Sequence, residues 1–196
     1  MTTPYVSWPR EVGDLRLRVP TSRDVDRLLA WRNEPEVTRW LLRTTQDADD
    51  LRASWRRTLD DPYDQRILAD LDGVVVATAS LGVDDGMGQP GSDAWRKAEG
   101  SIGYLVDPAY AGRGIATAVA GALLDVAFTD LGLHRVTAGC FAANEASWRV
   151  LEKLGMRREQ HGVRDSWHDE LGWVDGYTYA ILAEEWAGPP AVDAAG

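Results

Sequence analysis

The segment from Val106 to Thr117 constrains the fold more than any other part of the chain. Its sequence, VDPAYAGRGIAT, places the end of an apolar strand, a turn with two glycines and the start of a helix in succession. Gly112 and Gly114 permit a tight turn and let a ligand approach the backbone, because neither carries a Cβ atom. Free N–H groups and the positive end of a helix favour phosphate at such a turn. The segment therefore predicts a phosphate or pyrophosphate site, with Arg113 as an added cation at its mouth.

Two other nucleotide-binding motifs fit this turn less well. A P-loop ends in GK[ST], which is absent here. A dinucleotide fingerprint requires a small third residue, where Thr117 stands, and an early strand–helix–strand unit that this chain lacks. From these residues alone, a plain glycine turn with a helix cap remains an equal alternative.

Composition excludes several classes of protein. The 196 residues include 31 Asp and Glu against 21 Lys and Arg, a formal net charge of −10, so no direct binding of nucleic acid is expected. No stretch approaches the roughly 18 apolar residues of a membrane span, and residues 1–5 lack the features of a secretory signal. The single cysteine, Cys140, cannot form an internal disulfide and is expected to be a small buried hydrophobe. A cytoplasmic protein without membrane association is predicted.

Hydrophobic periodicity predicts the element order β-α-α-β-β-β-α-β-α-β, an α+β or mixed α/β fold with one central sheet. Strands are expected at 15–19, 67–71, 74–77, 101–106, 134–140 and 177–182. Asp72-Gly73 predicts a hairpin, and the Gly-rich stretch 82–95 predicts a mobile surface loop. We expect an N-terminal extension at 1–13, one domain at 14–186 and a disordered tail at 187–196.

Several separated motifs follow one another in an order that resembles a known family. GYLV-x-P-x-Y-x-GRGIAT spans residues 103–117, followed by N-x-x-S at 144–147 and L-x-KLGM at 151–156. L-x-LR at 15–18 opens the pattern and Y-x-IL-x-x-EW at 179–186 ends it. Together they resemble the GNAT superfamily of acetyl-CoA-dependent N-acetyltransferases, most closely its RimJ/RimL-like branch. One departure is Ala111, where the family often has Gln or Arg, and it affects side-chain contacts to the cofactor.

The resemblance implies a fold and a cofactor. The fold is a single central, mostly antiparallel sheet with helices on both faces and a V-shaped splay between two parallel strands. The cofactor is acetyl-CoA, with its pantetheine arm in the splay and its pyrophosphate on backbone amides of the glycine turn. Asn144 is implied to meet the pantetheine, although an N-cap for the next helix is an equal alternative and both roles can coexist. The implied cofactor-binding residues are Tyr104, Leu105, Val106, Gly112, Arg113, Gly114, Ile115, Ala116, Thr117 and Asn144.

The implied reaction is direct attack of a neutral amine on the thioester carbonyl. The acceptor is an amine-bearing small molecule or the N-terminus of a peptide or protein. A backbone N–H near Tyr104 or Leu105 is the candidate oxyanion donor, and Ser147 is the candidate partner of the departing thiolate. A solvated or back-bonded helix serine is an equal alternative for Ser147.

The general base is left open by the sequence. Family members acting on ribosomal alanine termini commonly carry Glu and Tyr at the positions of Gly139 and Leu151, so that pair is missing. A histidine such as His161 would suit the task, since an unperturbed imidazole titrates near pH 6.5, although His161 could equally be a plain exposed residue. The remaining candidates are Glu99, Glu159, Asp165 and His168. The three histidines lack a zinc-type spacing, so no metal is predicted.

Two alternative functions compete with the implied one. The missing pair motivates a GNAT-fold sensor that binds acyl-CoA without turnover, and an amine-modifying resistance enzyme is a further alternative.

The segment 159–175 holds five carboxylates against Arg164 as its only Lys or Arg. By resemblance it borders the acceptor channel, which implies an acid-rich entrance for cationic amines; a solvated face is the alternative. A monomer or a homodimer is expected.

Overall fold

The part of the chain that this computed structural model describes, residues 6–189, forms one mixed sheet of eight strands in the order β1-β2-β3-β4-β5-β6-β8-β7. Within it only β5 and β6 are parallel neighbours, and the other neighbouring pairs are antiparallel. The predicted mixed fold with a mostly antiparallel sheet is therefore confirmed. The strands are β1 (Arg10–Val12), β2 (Leu15–Arg18), β3 (Asp64–Leu71), β4 (Val74–Asp84), β5 (Glu99–Val106), β6 (Arg135–Phe141), β7 (Arg157–His168) and β8 (Gly172–Leu182).

Helices cover both faces of the sheet and create two buried clusters. On one face, Val119 and Leu123 of α4 and Leu151 of α5 pack against the strands. On the other face, residues of α1, α2 and α3 pack against Leu68 and Val75. None of the described helices has the length and hydropathy to cross a lipid bilayer. The helices are α1 (Val25–Arg32), α2 (Pro35–Thr38), α3 (Ala48–Asp60), α4 (Ile115–Asp125) and α5 (Glu145–Lys153), with a π-helical turn at Val126–Asp130 after α4.

The hairpin predicted from Asp72-Gly73 is present between β3 and β4. Leu71 pairs with Val74, which leaves Asp72 and Gly73 as the two turn residues. Their φ angles are +52° and +78°, the left-handed values that a two-residue hairpin of this twist requires at both positions.

Several elements were not predicted. The longest is β7, whose side chains are almost all exposed because it is an edge strand, so it carries no apolar alternation for a pattern to detect. The strand β8 begins at Gly172, five residues before the predicted start at 177, because its first four residues are not buried and carry no apolar alternation. The short elements β1 and α2 were also missed, and β4 extends to Asp84, so the loop predicted at 82–95 begins later.

The predicted division of the chain stays a prediction. Residues 10–12, assigned to the N-terminal extension, pair with β2 and so add an edge strand to the sheet. Residues 1–5 of that extension and 190–196 of the predicted tail lie outside the described residues.

The splay between β5 and β6 is the feature of the sheet that positions the site. The two strands pair only from Glu99 to Ser101. Beyond Ser101, β5 stays paired with β4 as far as Val106, while β6 stays paired with β8 as far as Phe141. The strands therefore diverge as a V, as the resemblance implied.

Candidate active site

A cavity of about 910 Å³ occupies the V between β5 and β6 and continues to both sides of it. We call one side the cofactor half: it is lined by the end of β5, the turn at 108–117 and the first turns of α5. The other side is the acceptor half, lined by α1, α2, α3, the 39–46 segment and the facing side chains of β3 and β4.

The glycine turn of the cofactor half has the backbone geometry expected of an anion site. Gly112 and Gly114 have φ angles of +78° and +76°, which residues with a Cβ rarely adopt. The first hydrogen bond of α4 runs from Ala118 N to Gly114 O, so the amides of residues 115–117 have no acceptor within the helix. A Cβ built on either glycine meets no described atom within 4 Å, so the space above the turn is open. The turn therefore fits a pyrophosphate held by backbone N–H groups.

Tyr104 and Ser147 meet across the splay. The Tyr104 hydroxyl donates to the backbone oxygen of Ser147 at 3.0 Å and lies 3.2 Å from its Oγ atom. Asn144 caps α5, because its Oδ1 accepts from the Ser147 N–H at 3.2 Å. The predicted N-cap is confirmed, and three predicted site residues form one connected group at the mouth of the V.

Burial sets the protonation state of this group. It raises the pKa of Tyr104 to about 12, against a smaller opposing effect of the hydrogen bond with Ser147. Burial also raises the pKa of the Cys140 thiol, which is half-buried in the cavity wall rather than fully buried as predicted. Both side chains are therefore neutral near pH 7, and Tyr104 keeps a hydroxyl proton that it can donate.

Arg32 anchors the 39–46 segment over the acceptor half. Its guanidinium is buried and donates to the backbone oxygens of Arg43 at 2.6 Å and Thr44 at 3.4 Å. Asn33 adds two bonds, one from its Nδ2 to Gln46 O and one from Gln46 N to its Oδ1. Burial, with the nearby charge of Arg43, lowers the pKa of Arg32. The segment is thus held at one end by the last residue of α1, Arg32, and by Asn33, which caps that helix.

Trp40 holds the other end of the same segment. Its ring centroid lies 5.1 Å from that of His168 and 6.1 Å from that of Phe141. These contacts join the 39–46 segment to β6 and β7 across the end of the cavity. His168 is buried behind Trp40, and its Nδ1 accepts from the Glu170 N–H, so its ring proton is on Nε2.

The remaining predicted residues lie elsewhere. The Arg113 guanidinium stacks over the Tyr110 ring at 5.0 Å and does not line the cavity. His161 is half-exposed, 2.6 Å from Asp175 Oδ2, and also lies outside the lining. The other four candidate bases, Glu99, Glu159, Asp165 and His168, also lie outside the lining. Within the described part of the chain, the carboxylate that lines the cavity is that of Glu36. The roles assigned to the predicted residues stay predictions.

The acid-rich segment 159–175 does not form the cavity wall. It runs along β7 and the hairpin to β8, and none of its carboxylates is among the lining residues. Glu159 pairs with Arg135 and Arg157, and a hydrogen bond from Arg135 lowers its pKa. Glu170 lies 3.7 Å from Arg39. The implied acid-rich entrance is therefore not found in this cavity wall, because the position of β7 at the sheet edge and the β7–β8 hairpin place these carboxylates outside the lining.

Sequence reasoning missed the residues of the acceptor half. Nothing in the local sequence around Arg32 indicates a cavity wall. Residues from five elements meet here, and no local spacing joins them. The missed residues that line this half include Arg32, Glu36, Trp40, Arg66 and Ser80.

The chain belongs to the GNAT acetyltransferase family: the family model described as an acetyltransferase (GNAT) domain matches residues 14–157. The predicted family is therefore confirmed. The matched residues include the splay strands β5 and β6, the glycine turn and α5.

Named relatives are consistent with the RimJ/RimL-like branch. The chain is 30% identical to the "Putative ribosomal N-acetyltransferase YdaF" of Bacillus subtilis (strain 168), over 89% of this chain and 94% of that protein. It is 41% identical to the uncharacterized N-acetyltransferase YnaD of the same organism over 43% of this chain, a match that spans about half of YnaD (49%). The solved structure of Mycobacterium smegmatis RimJ in complex with CoA-disulfide has a TM-score of 0.74 and 26% identity, covering 90% of this chain and 86% of that one.

Proposed function

We propose that this protein transfers the acetyl group of acetyl-CoA to a primary amine of a small molecule or of a peptide or protein N-terminus. The observation that carries the proposal is the V between β5 and β6, which joins the glycine turn to the acceptor half in one cavity. Such an opening lets two substrates meet at the strand edge without leaving the protein.

The cofactor half supplies the groups that acetyl-CoA requires. The amides of residues 115–117 suit its pyrophosphate. Beyond Ser101, the edge of β5 that faces β6 has no strand partner, so backbone groups of Tyr104, Leu105 and Val106 are available to the pantetheine arm. Solved relatives such as RimJ of Mycobacterium smegmatis contain a CoA derivative, which supports the same class of ligand here.

The reaction forms one carbon–nitrogen bond and breaks the carbon–sulfur bond of the thioester. The amine loses one proton and the departing thiolate gains one, so no proton is gained or lost overall. We assign Ser147 Oγ as the hydrogen-bond donor to the thiolate, with Tyr104 Oη orienting it at 3.2 Å. A Tyr104 pKa of about 12 keeps that hydroxyl protonated throughout the neutral range.

The test is incubation with acetyl-CoA and a panel of amines, with thiol release and the mass of each acceptor as readouts. The panel contains amino acids, polyamines, amine-bearing antibiotics and peptides that copy ribosomal-protein N-termini, the last because of the name of YdaF. We expect thiol release that depends on the amine and a gain of one acetyl group on it. Thiol release without any acetylated acceptor would contradict the proposal.

A second function is favoured by one observation. Gly139 lines the cavity and Leu151 is buried in the core, so neither position offers the carboxylate or phenol common in ribosomal-protein acetyltransferases. A GNAT-fold sensor that binds acyl-CoA without turnover would need neither group. The same assay distinguishes the two, because a sensor binds CoA tightly and leaves every amine unmodified.

A further inference from the structure

The charge of the acceptor half is opposite to that of the whole chain. Two arginines, Arg32 and Arg66, line it, against the one carboxylate of the described lining, Glu36, which is exposed. The hydrogen bonds of Arg32 go to backbone oxygens and to Asn33, and no described carboxylate forms an ion pair with it. Because neutral carbonyls do not cancel a full charge, the buried wall at Arg32 stays positive and favours an anionic group. Arg66 is partly compensated, since Asp64 Oδ1 lies 3.2 Å from its Nε atom, outside the cavity lining.

Three residues form a row across the sheet on this side. Arg66 of β3 pairs with Ser80 of β4, and Ser80 pairs with Gly103 of β5. Directly opposed residues of antiparallel strands share a face, so all three face the same side of the sheet. A Cβ built on Gly103 lies 3.6 Å from Ser80 Oγ, which confirms that common face. The row thus leads from Arg66 to the strand edge beside Tyr104.

Apart from the ion pair of Arg66 Nε with Asp64, the donors in this row are unused. Arg66 Nε is buried and lies 3.2 Å from Asp64 Oδ1, yet it makes no aligned hydrogen bond with a described residue. Among the side chains that the structure describes, neither the terminal nitrogens of Arg66 nor the hydroxyl of Ser80 has a hydrogen-bond partner. By contrast, Thr78 on the same strand donates to Ile67 O at 3.1 Å. A guanidinium fork and a hydroxyl in adjacent strands match the two oxygens of a carboxylate.

We propose that Arg66 and Ser80 bind a carboxylate of the acceptor, so that preferred acceptors are amines carrying a carboxylate close to the reactive nitrogen. The proposal rests on the proposed acetyl transfer and names its substrate class. Neighbouring strands lie about 4.8 Å apart, which places Arg66 roughly 10 Å from Gly103 at the backbone, and its side chain shortens that span. The row therefore selects short amino acids or acidic N-terminal residues over long polyamines.

The experiment measures kcat/KM for matched acids and amides. One arm uses ω-amino acids from glycine to 6-aminohexanoate and their primary amides; the other uses peptides that begin with Asp or Asn. Rates are compared per neutral amine, because the two members of a pair differ in amine basicity. For at least one chain length, or for the peptide pair, we expect the kcat/KM of the acid to exceed that of its amide by about tenfold or more. The two arms separate a free amino acid from a protein N-terminus.

Variants of Arg66 and Ser80 test whether these residues bind the acceptor carboxylate. Arg66→Met should bring the acid-to-amide ratio close to one and leave the amide rate within about twofold, while Arg66→Lys retains part of the ratio. Ser80→Ala should reduce the ratio by a few fold and serves if Arg66→Met does not fold. Arg52→Met is the matched control: it removes the same charge from α3, where Arg52 pairs with Asp49 outside the cavity lining. CoA affinity checks the fold of each variant.

A binding measurement separates failure of this proposal from failure of acetyl transfer. Trp40 and Trp55 line the cavity, so their fluorescence reports occupancy of the CoA-saturated protein by 4-aminobutyrate or its amide without turnover. Acid-selective binding that Arg66→Met removes, with no amine acetylated, would support the carboxylate site and overturn the transferase. Acetylation with equal use of acids and amides, or a ratio that Arg66→Met leaves unchanged, would overturn the carboxylate site alone.

Discussion

The two halves of the cavity are built in different ways. The cofactor half depends mainly on backbone: two glycines in the left-handed region, free amides at the start of α4 and an unpaired edge of β5. The acceptor half depends on side chains, with arginines, aromatic rings and hydroxyls contributed by α1, α2, α3, β3 and β4. Backbone binding requires particular residues at adjacent positions, whereas side-chain binding allows the residues to be distant in sequence. A family can therefore keep one half and change the other to accept a new amine.

The largest expected effect comes from breaking the backbone half. Gly114→Val should weaken CoA binding by about 100-fold, or about 2.7 kcal/mol, because valine disfavours the φ of +76° and its methyl groups occupy the space above the turn. Gly132→Val is the matched control, since Gly132 has a φ of +66°, open space around its Cβ and a position outside the cavity lining. Both variants should lose similar stability, and calorimetry with CoA should separate them. Equal CoA affinities in the two variants would remove the phosphate site.

The junction between the halves should show the next effect. Ser147→Ala should lower kcat/KM by about 10- to 100-fold through loss of a hydrogen bond to the thiolate, with acetyl-CoA affinity within about twofold.

Because the pKa of Tyr104 is about 12, its phenol stays protonated up to about pH 10. Tyr104→Phe should therefore reduce the rate without changing the shape of the pH profile between about 6 and 10. A basic limb that disappears in Tyr104→Phe would show that the tyrosine titrates during turnover.

Asp24 supports the acceptor half through stability. Burial opposes its ionisation, but hydrogen bonds from Arg18 and Thr21 outweigh burial and hold its pKa at about 2. The folded pKa lies below the unfolded value of about 3.9, so this stability is full above about pH 4 and is lost as the pH falls toward 2. Asp24→Asn should lower the free energy of unfolding at pH 7 by about 2 kcal/mol. Urea unfolding at pH 7 and pH 3 measures both effects.

The control for that experiment is Asp26→Asn, at an exposed position in the first turn of α1, which Asp24 directly precedes. It should change the free energy of unfolding by less than about 0.5 kcal/mol. Similar losses in the two variants would show that net charge, rather than the buried contact with Arg18, stabilises this part of the protein.

The smallest expected effect concerns the acceptor half alone. Trp40→Ala removes the ring that joins the 39–46 segment to Phe141 and His168, so the KM for the amine should rise about fivefold while CoA affinity stays unchanged. Trp173→Ala is the control, because Trp173 is exposed and lies outside the cavity lining. A rise in the CoA dissociation constant with Trp40→Ala would mean that the two halves are not independent.

Local sequence patterns were sufficient to predict several parts of this structure. Strand and helix periodicity, Asp72-Gly73 and the glycine turn identified the mixed fold, the hairpin and the cofactor half, because each depends on the conformational preferences of neighbouring residues. The edge strand β7 escaped detection, since exposed strands lack the apolar alternation that reveals buried ones.

Only the tertiary structure shows which residues line the acceptor half and what charge they give it. Arg66 and Ser80 meet through the register of β3 and β4, and Trp40 meets His168 although 128 positions separate them in the sequence. The same sheet turned the carboxylates of β7 away from the cavity and left arginines within it, which reversed the charge expected from the sequence. Sequence alone determines what a residue can do in its local backbone, whereas the charge of a cavity depends on which distant side chains the packed sheet and helices bring together.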